Sequence, residues 1–456
     1  MNWGWPICLA GAILTGCASS PTTLIRDEAT LRAAIGSGAR LQLAAGEMDI
    51  HREIVVPPGT ENLEISGTGT LLKAARDFRG AALFRVDRAT GVTFRNLAID
   101  GVRGIHEQRT GLPPSDVPFA RFTRGSAIAI SGSRNITVAD VRFRRVAGFA
   151  VLASRCLDLQ LDRLTVEDSG SRNAAGRNNT TGGVLIEEGT RGFEIRSSTF
   201  RNIRGNAVWT HSLYTSARNQ DGRIWGNRFD TIGRDAIQIG HATRIRVEGN
   251  VIRSTGYPLD DVDIENGAIP VGIDTAGNVD RSVYIGNRIE ETNGKCIDLD
   301  GFHRGEVTRN LCINRRGLDA YPFGGYAIVM NNTNPDMHSE EIVIEQNEIE
   351  GTRFGGIFVI GEQHQVRRNR MRRLNLARCG DPSSAARCAY APDQPLLLRS
   401  AIYLGSGAER PSRAQLNRIE DNQADGFGIA SNCVVAAPGV SLTANRVSGN
   451  RCYSSD

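Results

Sequence analysis

Lysine is nearly missing from this 456-residue chain: of 54 basic residues, only Lys73 and Lys295 are lysines. Aromatic residues are also scarce at 6%, against 51 glycines and 40% hydrophobic residues, a balance that suits short strands joined by turns and argues against a helical bundle. There is no marked excess of charge of either sign. The formal net charge is +4 and the arginines are scattered among acids, which excludes the basic stripe of a nucleic-acid-binding protein. A mildly positive balance still leaves an acidic polysaccharide among the partners to consider. No Cys/His spacing has the form of a zinc site. The apolar stretch at 7–14 is too short to cross a bilayer and has the length of a signal-peptide core. The chain length would ordinarily mean two or three domains, unless a repeat lets a single core grow lengthwise.

That stretch ends in Leu14-Thr15-Gly16-Cys17, which resembles the bacterial lipobox. The resemblance implies a signal peptide over 1–16, a lipid on Cys17, a short tether over 17–23 and one domain over 24–456. Ala18 follows the cysteine instead of an aspartate, so an outer-membrane anchor at the cell envelope is expected, with no membrane contact beyond the lipid. Export permits disulfides. Without Cys8 and Cys17, seven cysteines remain, and Cys379 with Cys388 and Cys433 with Cys452 are the expected pairs.

The sequence is organised by a recurring phrase: a polar residue or glycine, then Asn, then any residue, then an apolar one. It occurs at Asn227, Asn250, Asn287, Asn310, Asn347, Asn369, Asn417 and Asn445, several of them about 22 or 23 residues apart. Ahead of each phrase lies an apolar alternation such as AVWTH at 207, AIQIG at 236, GIDTA at 272 and CIDLD at 296. Alternation of period two means strands with one buried face. A coil of this length cannot bury its inward side chains alone, but a stack of coils forms one apolar column. The expectation is an all-β, single-domain right-handed parallel β-helix. Asn is expected to take the left-handed backbone of the corners and to hydrogen-bond along the stack. Residues 27–35 read as a short amphipathic helix capping the open end. With this helix-then-coils opening, the chain resembles the pectin lyase-like superfamily, which implies the fold and a carbohydrate ligand without naming a reaction.

If Ile237 and Ile239 face inward, the residues between them and their equivalents face outward. Two vertical series follow, and in their middle Glu187, Trp209, His211, Gln238, Asp274, Asp298 and Asp300 share one outer face, with His241 nearby. Long insertions ahead of this strand and shorter ones after it, at 212–222 and 332–341, would wall a groove with acids on its floor. By strand geometry Asp274 and Asp298 have backbones about 5 Å apart, and Asp274 and Asp300 about 8 Å. Glycosidases that invert use carboxyl groups roughly 6.5–9.5 Å apart and those that retain about 5–5.5 Å, so both outcomes stay open. One aspartate on a coil and two on the next resembles the polygalacturonase arrangement by position, without that family's local motifs.

Three carboxylates this close require either a proton or a cation among them. The proton supplies a general acid and leads to hydrolysis, the first reading, with Asp274, Asp298 and Asp300 catalytic and no cofactor. The cation leads to the second reading, β-elimination on a uronate, with Ca²⁺ as the one cofactor considered and Lys295 and Arg304 as base and charge partner; lysine is the base in some β-helix lyases. Glu187, Trp209, His211, Gln238, His241, Lys295, His303 and Arg304 are expected to contact a polysaccharide or oligosaccharide. The third reading is a non-catalytic β-helix that binds glycans or serves a structural role at the envelope. Asp260, Asp261, Asp263 and Glu265 form an acidic loop open to a metal or a solvated role.

Overall fold

Short alternating segments separated by left-handed corner residues give each coil three strands, and each strand pairs in parallel with its equivalents in the coils before and after. The computed structural model describes residues 21–107, 113–264, 269–334, 337–388, 394–407 and 411–455, so Cys17 and the segment before it lie outside the described residues. Among the described residues forty strands form one continuous parallel sheet wound into three stacks, a single-domain parallel β-helix. The first strand, Thr22–Ile25, already pairs with Arg40–Leu43 and so takes up two residues expected to belong to the tether. The helix Glu28–Ala34 follows, capped by Asp27, whose side chain accepts a hydrogen bond from the Thr30 N–H. Leu31 on this helix is buried in the column.

Registration along the stack carrying the candidate site is the one expected. Leu185 lies beside Trp209, Trp209 beside Gln238, Gln238 beside Asp274, and Asp298 beside Val329. Two positions on, Glu187 lies beside His211 and Ala276 beside Asp300. Ile237, Ile239, Ile273, Ile297 and Leu299 point inward and are fully buried. Each such side chain stabilises the fold by roughly 1.5–3 kcal/mol through apolar burial.

The asparagines form a ladder, but their own backbone does not make the left-handed corner. The left-handed corner falls on the residue before each one: Gly226, Gly249, Gly286 and Arg309 have φ of 64°, 59°, 63° and 55°. Asn is instead turned inward, where its Oδ1 accepts from the backbone N–H and Nδ2 of the Asn in the preceding coil. The ladder runs Asn227–Asn250–Asn287–Asn310–Asn347–Asn369–Asn422–Asn450. Asn417 and Asn445, read from sequence as members of this series, stand at a different corner, where the His364 N–H donates to Asn417 and the Asn417 N–H donates to Asn445. The similar local phrase conceals a shift of one corner.

Both expected disulfides are present, and Cys296–Cys312 is a third. Cys156 keeps a buried thiol, and burial pushes its pKa up to about 12. Among the described residues no helix is long and apolar enough to cross a membrane.

Candidate active site

Two strands carry the acids. Val271–Asp280 presents Asp274, and Lys295–His303 of the next coil presents Asp298 and Asp300. Because flanking Ile273, Ile297 and Leu299 are drawn into the column, the three carboxylates must leave on the outer face. Loops shelter them: Asp274 and Asp298 are 8% and 7% exposed.

The structure brings together Asp274, Asp298, Asp300, Gln238 and Lys295, and adds Asp235. The Lys295 ammonium donates to Asp298 Oδ2. The other Asp298 oxygen is buried and has no hydrogen-bond partner among the described residues. Gln238 Nε2 donates to Asp274 Oδ2 at 2.8 Å, and Gln238 Oε1 accepts from Asn206 at 2.7 Å, which fixes the amide's orientation. Burial first, then the neighbouring Asp235 and Asp298, raises the Asp274 pKa well above the carboxylate range. Burial pushes Asp300 up to about 6, although Thr333 opposes this by donating its N–H and hydroxyl to the Asp300 oxygens. Lys295 loses stability as a cation through burial, but Asp298 and the other carboxylates more than offset this and lift its pKa above that of an ordinary lysine.

Asp235 escaped the sequence reading because it precedes the alternating segment. Its Oδ1 accepts the Val271 N–H, and burial pushes it up to about 6. The signal was available in register: Val271 lies beside Lys295, so the residue two before Ile237 and the residue two before Ile297 belong to one column.

Two residues expected to meet substrate are covered instead. Glu187 accepts the N–H groups of Phe119 and Ala120 at 2.9 and 2.8 Å, pinning the short helix Phe119–Phe122 over the groove. Trp209 lies under that helix, edge-on to Phe119 with ring centroids 4.8 Å apart. A buried aromatic cluster has taken the surface offered to a sugar. His303 and Arg304 leave the acid cluster because the strand bends at Gly301, with φ of 72°. The His303 ring packs on His338 at 4.2 Å, and Arg304 pairs with Glu340 at 2.6 Å. The acidic loop is likewise engaged: Asp261 pairs with Arg172 and Asp263 accepts from Asn173, binding two wall loops together; Glu265 lies outside the described residues.

His211 and His241 stay with the site, at its other end. They line a cavity of about 190 Å³ with Tyr214, Gly277, Asp300 and Asn334. Burial lowers the His211 pKa to about 4, so its imidazole is neutral. A narrower space of about 20 Å³ beside Cys296–Cys312 is no larger than a water or two and does not reach the acids.

Residues 215–371 match the family described as right handed beta helix region. No curated protein matches the chain. Among solved structures, a GH136 lacto-N-biosidase from Eubacterium ramulus is similar with a TM-score of 0.52 and 11% identity, over 87% of this chain and 63% of that one. The Dettilon tailspike protein (gp208) is similar with a TM-score of 0.50 and 11% identity, over 90% of this chain and 64% of that one. The chain thus spans less than two thirds of either protein. At these identities the likeness is one of fold, and the fold is a right-handed parallel β-helix.

Proposed function

We propose that the protein is an exported, envelope-anchored carbohydrate-active enzyme that hydrolyses glycosidic bonds in the groove over Asp274 and Asp298. One observation carries the reading: two carboxylates on adjoining coils are held in opposite conditions. Asp274 is lifted by burial and by its acidic neighbours, which suits a general acid protonating the leaving oxygen. Asp298 is paired with a lysine and presents a second oxygen without a partner among the described residues, which suits a base or nucleophile on the other side of the sugar. Gln238 and Asn206 position Asp274. The fold is shared with a GH136 lacto-N-biosidase, which is compatible with this chemistry. The anchor through Cys17 rests on the Leu-Thr-Gly-Cys motif.

Lys295 suits hydrolysis better than elimination. A lysine bound to Asp298, with its pKa raised, holds its proton and makes a poor base toward C5 of a uronate. It also occupies the place where a cation would neutralise the acids, so the cluster has no need of Ca²⁺.

The test is a screen of the purified mature protein against neutral and acidic polysaccharides, with products read as new reducing ends and as absorbance of unsaturated uronates. Hydrolysis predicts the first without the second. Asp274→Asn and Asp298→Asn should each remove activity on the substrate found, and full activity in both variants would defeat the assignment.

A further inference from the structure

Among the described residues no side chain fills the cavity beside Asp300. Its lining includes a position that resists bulk: Gly277 has φ of 105°, and a Cβ there would approach His241 Nδ1 to 3.2 Å. The walls are held in place independently of any ligand. Glu188 accepts the Leu213 N–H at 2.9 Å and the Ser216 hydroxyl, fixing the segment that carries Tyr214. Asp300 fixes the opposite wall through Thr333. At about 190 Å³ the space displaces roughly six waters, at about 30 Å³ each. That is room for a single sugar ring.

The chemistry of the lining is selective. Tyr214 is 54% exposed although it stands edge-on to His241, with centroids 4.2 Å apart. An aromatic ring at the rim offers a face to the C–H side of a pyranose, while imidazole, serine and asparagine offer hydrogen bonds to its hydroxyls. Among the described residues no arginine or lysine lines the space. The nearby cations are engaged elsewhere, Lys295 by Asp298 and Arg218 by Asp280 at 3.2 Å. A uronate here would set a second carboxylate against Asp300 with no counter-charge.

We infer that this cavity is a subsite for one uncharged sugar ring, with Tyr214 as its stacking wall, and that the substrate is therefore a neutral glycan. The inference rests on reading the groove as a carbohydrate site. It runs against the mildly basic composition, which taken alone leans toward an acidic polymer.

The experiment measures binding apart from turnover. Full mature protein carrying Asp274→Asn, which leaves the Lys295–Asp298 pair intact, is titrated calorimetrically with neutral tetrasaccharides (gluco-, galacto-, manno- and N-acetylated series) and with tetragalacturonate and tetramannuronate. At least one neutral series should bind, and both uronates at least tenfold more weakly. Tyr214→Ala should weaken the neutral ligand tenfold or more, and Tyr214→Phe should retain it. Tighter uronate binding, no neutral binding, or indifference to Tyr214→Ala would overturn the inference. A neutral ligand that binds through Tyr214 and is never cleaved by the unmutated protein would leave the subsite standing and remove the hydrolase reading.

Discussion

Lys295 and Asp298 form an ion pair within a single strand, three residues apart, with the lysine side chain 24% exposed and the aspartate 9%. A buried carboxylate flanked by Asp274 and Asp300 would otherwise face only like charge, so the lysine makes the cluster tolerable as well as reactive. Lys295→Met should lower kcat about 100-fold with little change in KM, because it alters the state of the acids and not the ring contacts. Lys295→Arg should recover part of the loss. Steady-state kinetics on the substrate identified in the screen make the comparison.

Glu187 ties the roof to the floor. Burial pushes its pKa up to about 7 from an ordinary glutamate value of 4.5, against the two backbone N–H groups that favour its charged form. A raised acid stabilises the fold fully below its unfolded value and loses that contribution as pH climbs through its folded value. The melting temperature should therefore fall by about 2 °C or more between pH 5 and pH 8. Glu187→Ala should lessen that dependence, leaving the part contributed by Asp235, Asp274 and Asp300, and shift Trp209 emission to the red as Phe119 lifts away.

Much of this architecture was legible because a strand leaves no freedom in where its side chains point. Once Ile273 and Ile297 are inward, Asp274 and Asp298 are outward neighbours. What the alternation could not carry is anything supplied by a loop. Phe119 comes from an insertion several coils upstream, so nothing near Trp209 announces that it is covered. Tyr214 and Thr333 are set by insertions whose paths depend on Glu188 and Asp300, not on any period. His303 was misplaced for a related reason: the bend at Gly301 ends the straight extrapolation from Asp300.

The ladder gives a prediction about stability that is separate from activity. Asn287 is 1% exposed, and its Oδ1 accepts both the N–H and the Nδ2 of Asn250, while its own Nδ2 donates to the Val247 carbonyl and to Asn310. Asn287→Ala leaves the Asn250 donors unsatisfied inside the column, at a cost of about 2–4 kcal/mol. Denaturant and thermal unfolding should both shift, while kcat measured well below the transition stays the same, since this corner lies away from the acids.

Asp274 offers the sharpest test of the chemistry. As general acid it must hold a proton before the glycosidic oxygen departs, so activity should decline as pH rises through its elevated pKa, and this alkaline limb should be missing in Asp274→Asn. The deficit of that variant should depend on the leaving group. With a natural glycoside, loss of protonation should cost about 10²–10⁴ in kcat/KM. With an activated aryl glycoside, whose phenolate leaves unassisted, most of the rate should return. Asp298→Asn should be equally slow with both substrates, because a base or nucleophile is needed whatever group departs. If the two variants responded alike to the activated substrate, the division of labour between Asp274 and Asp298 would be wrong, even with both residues essential.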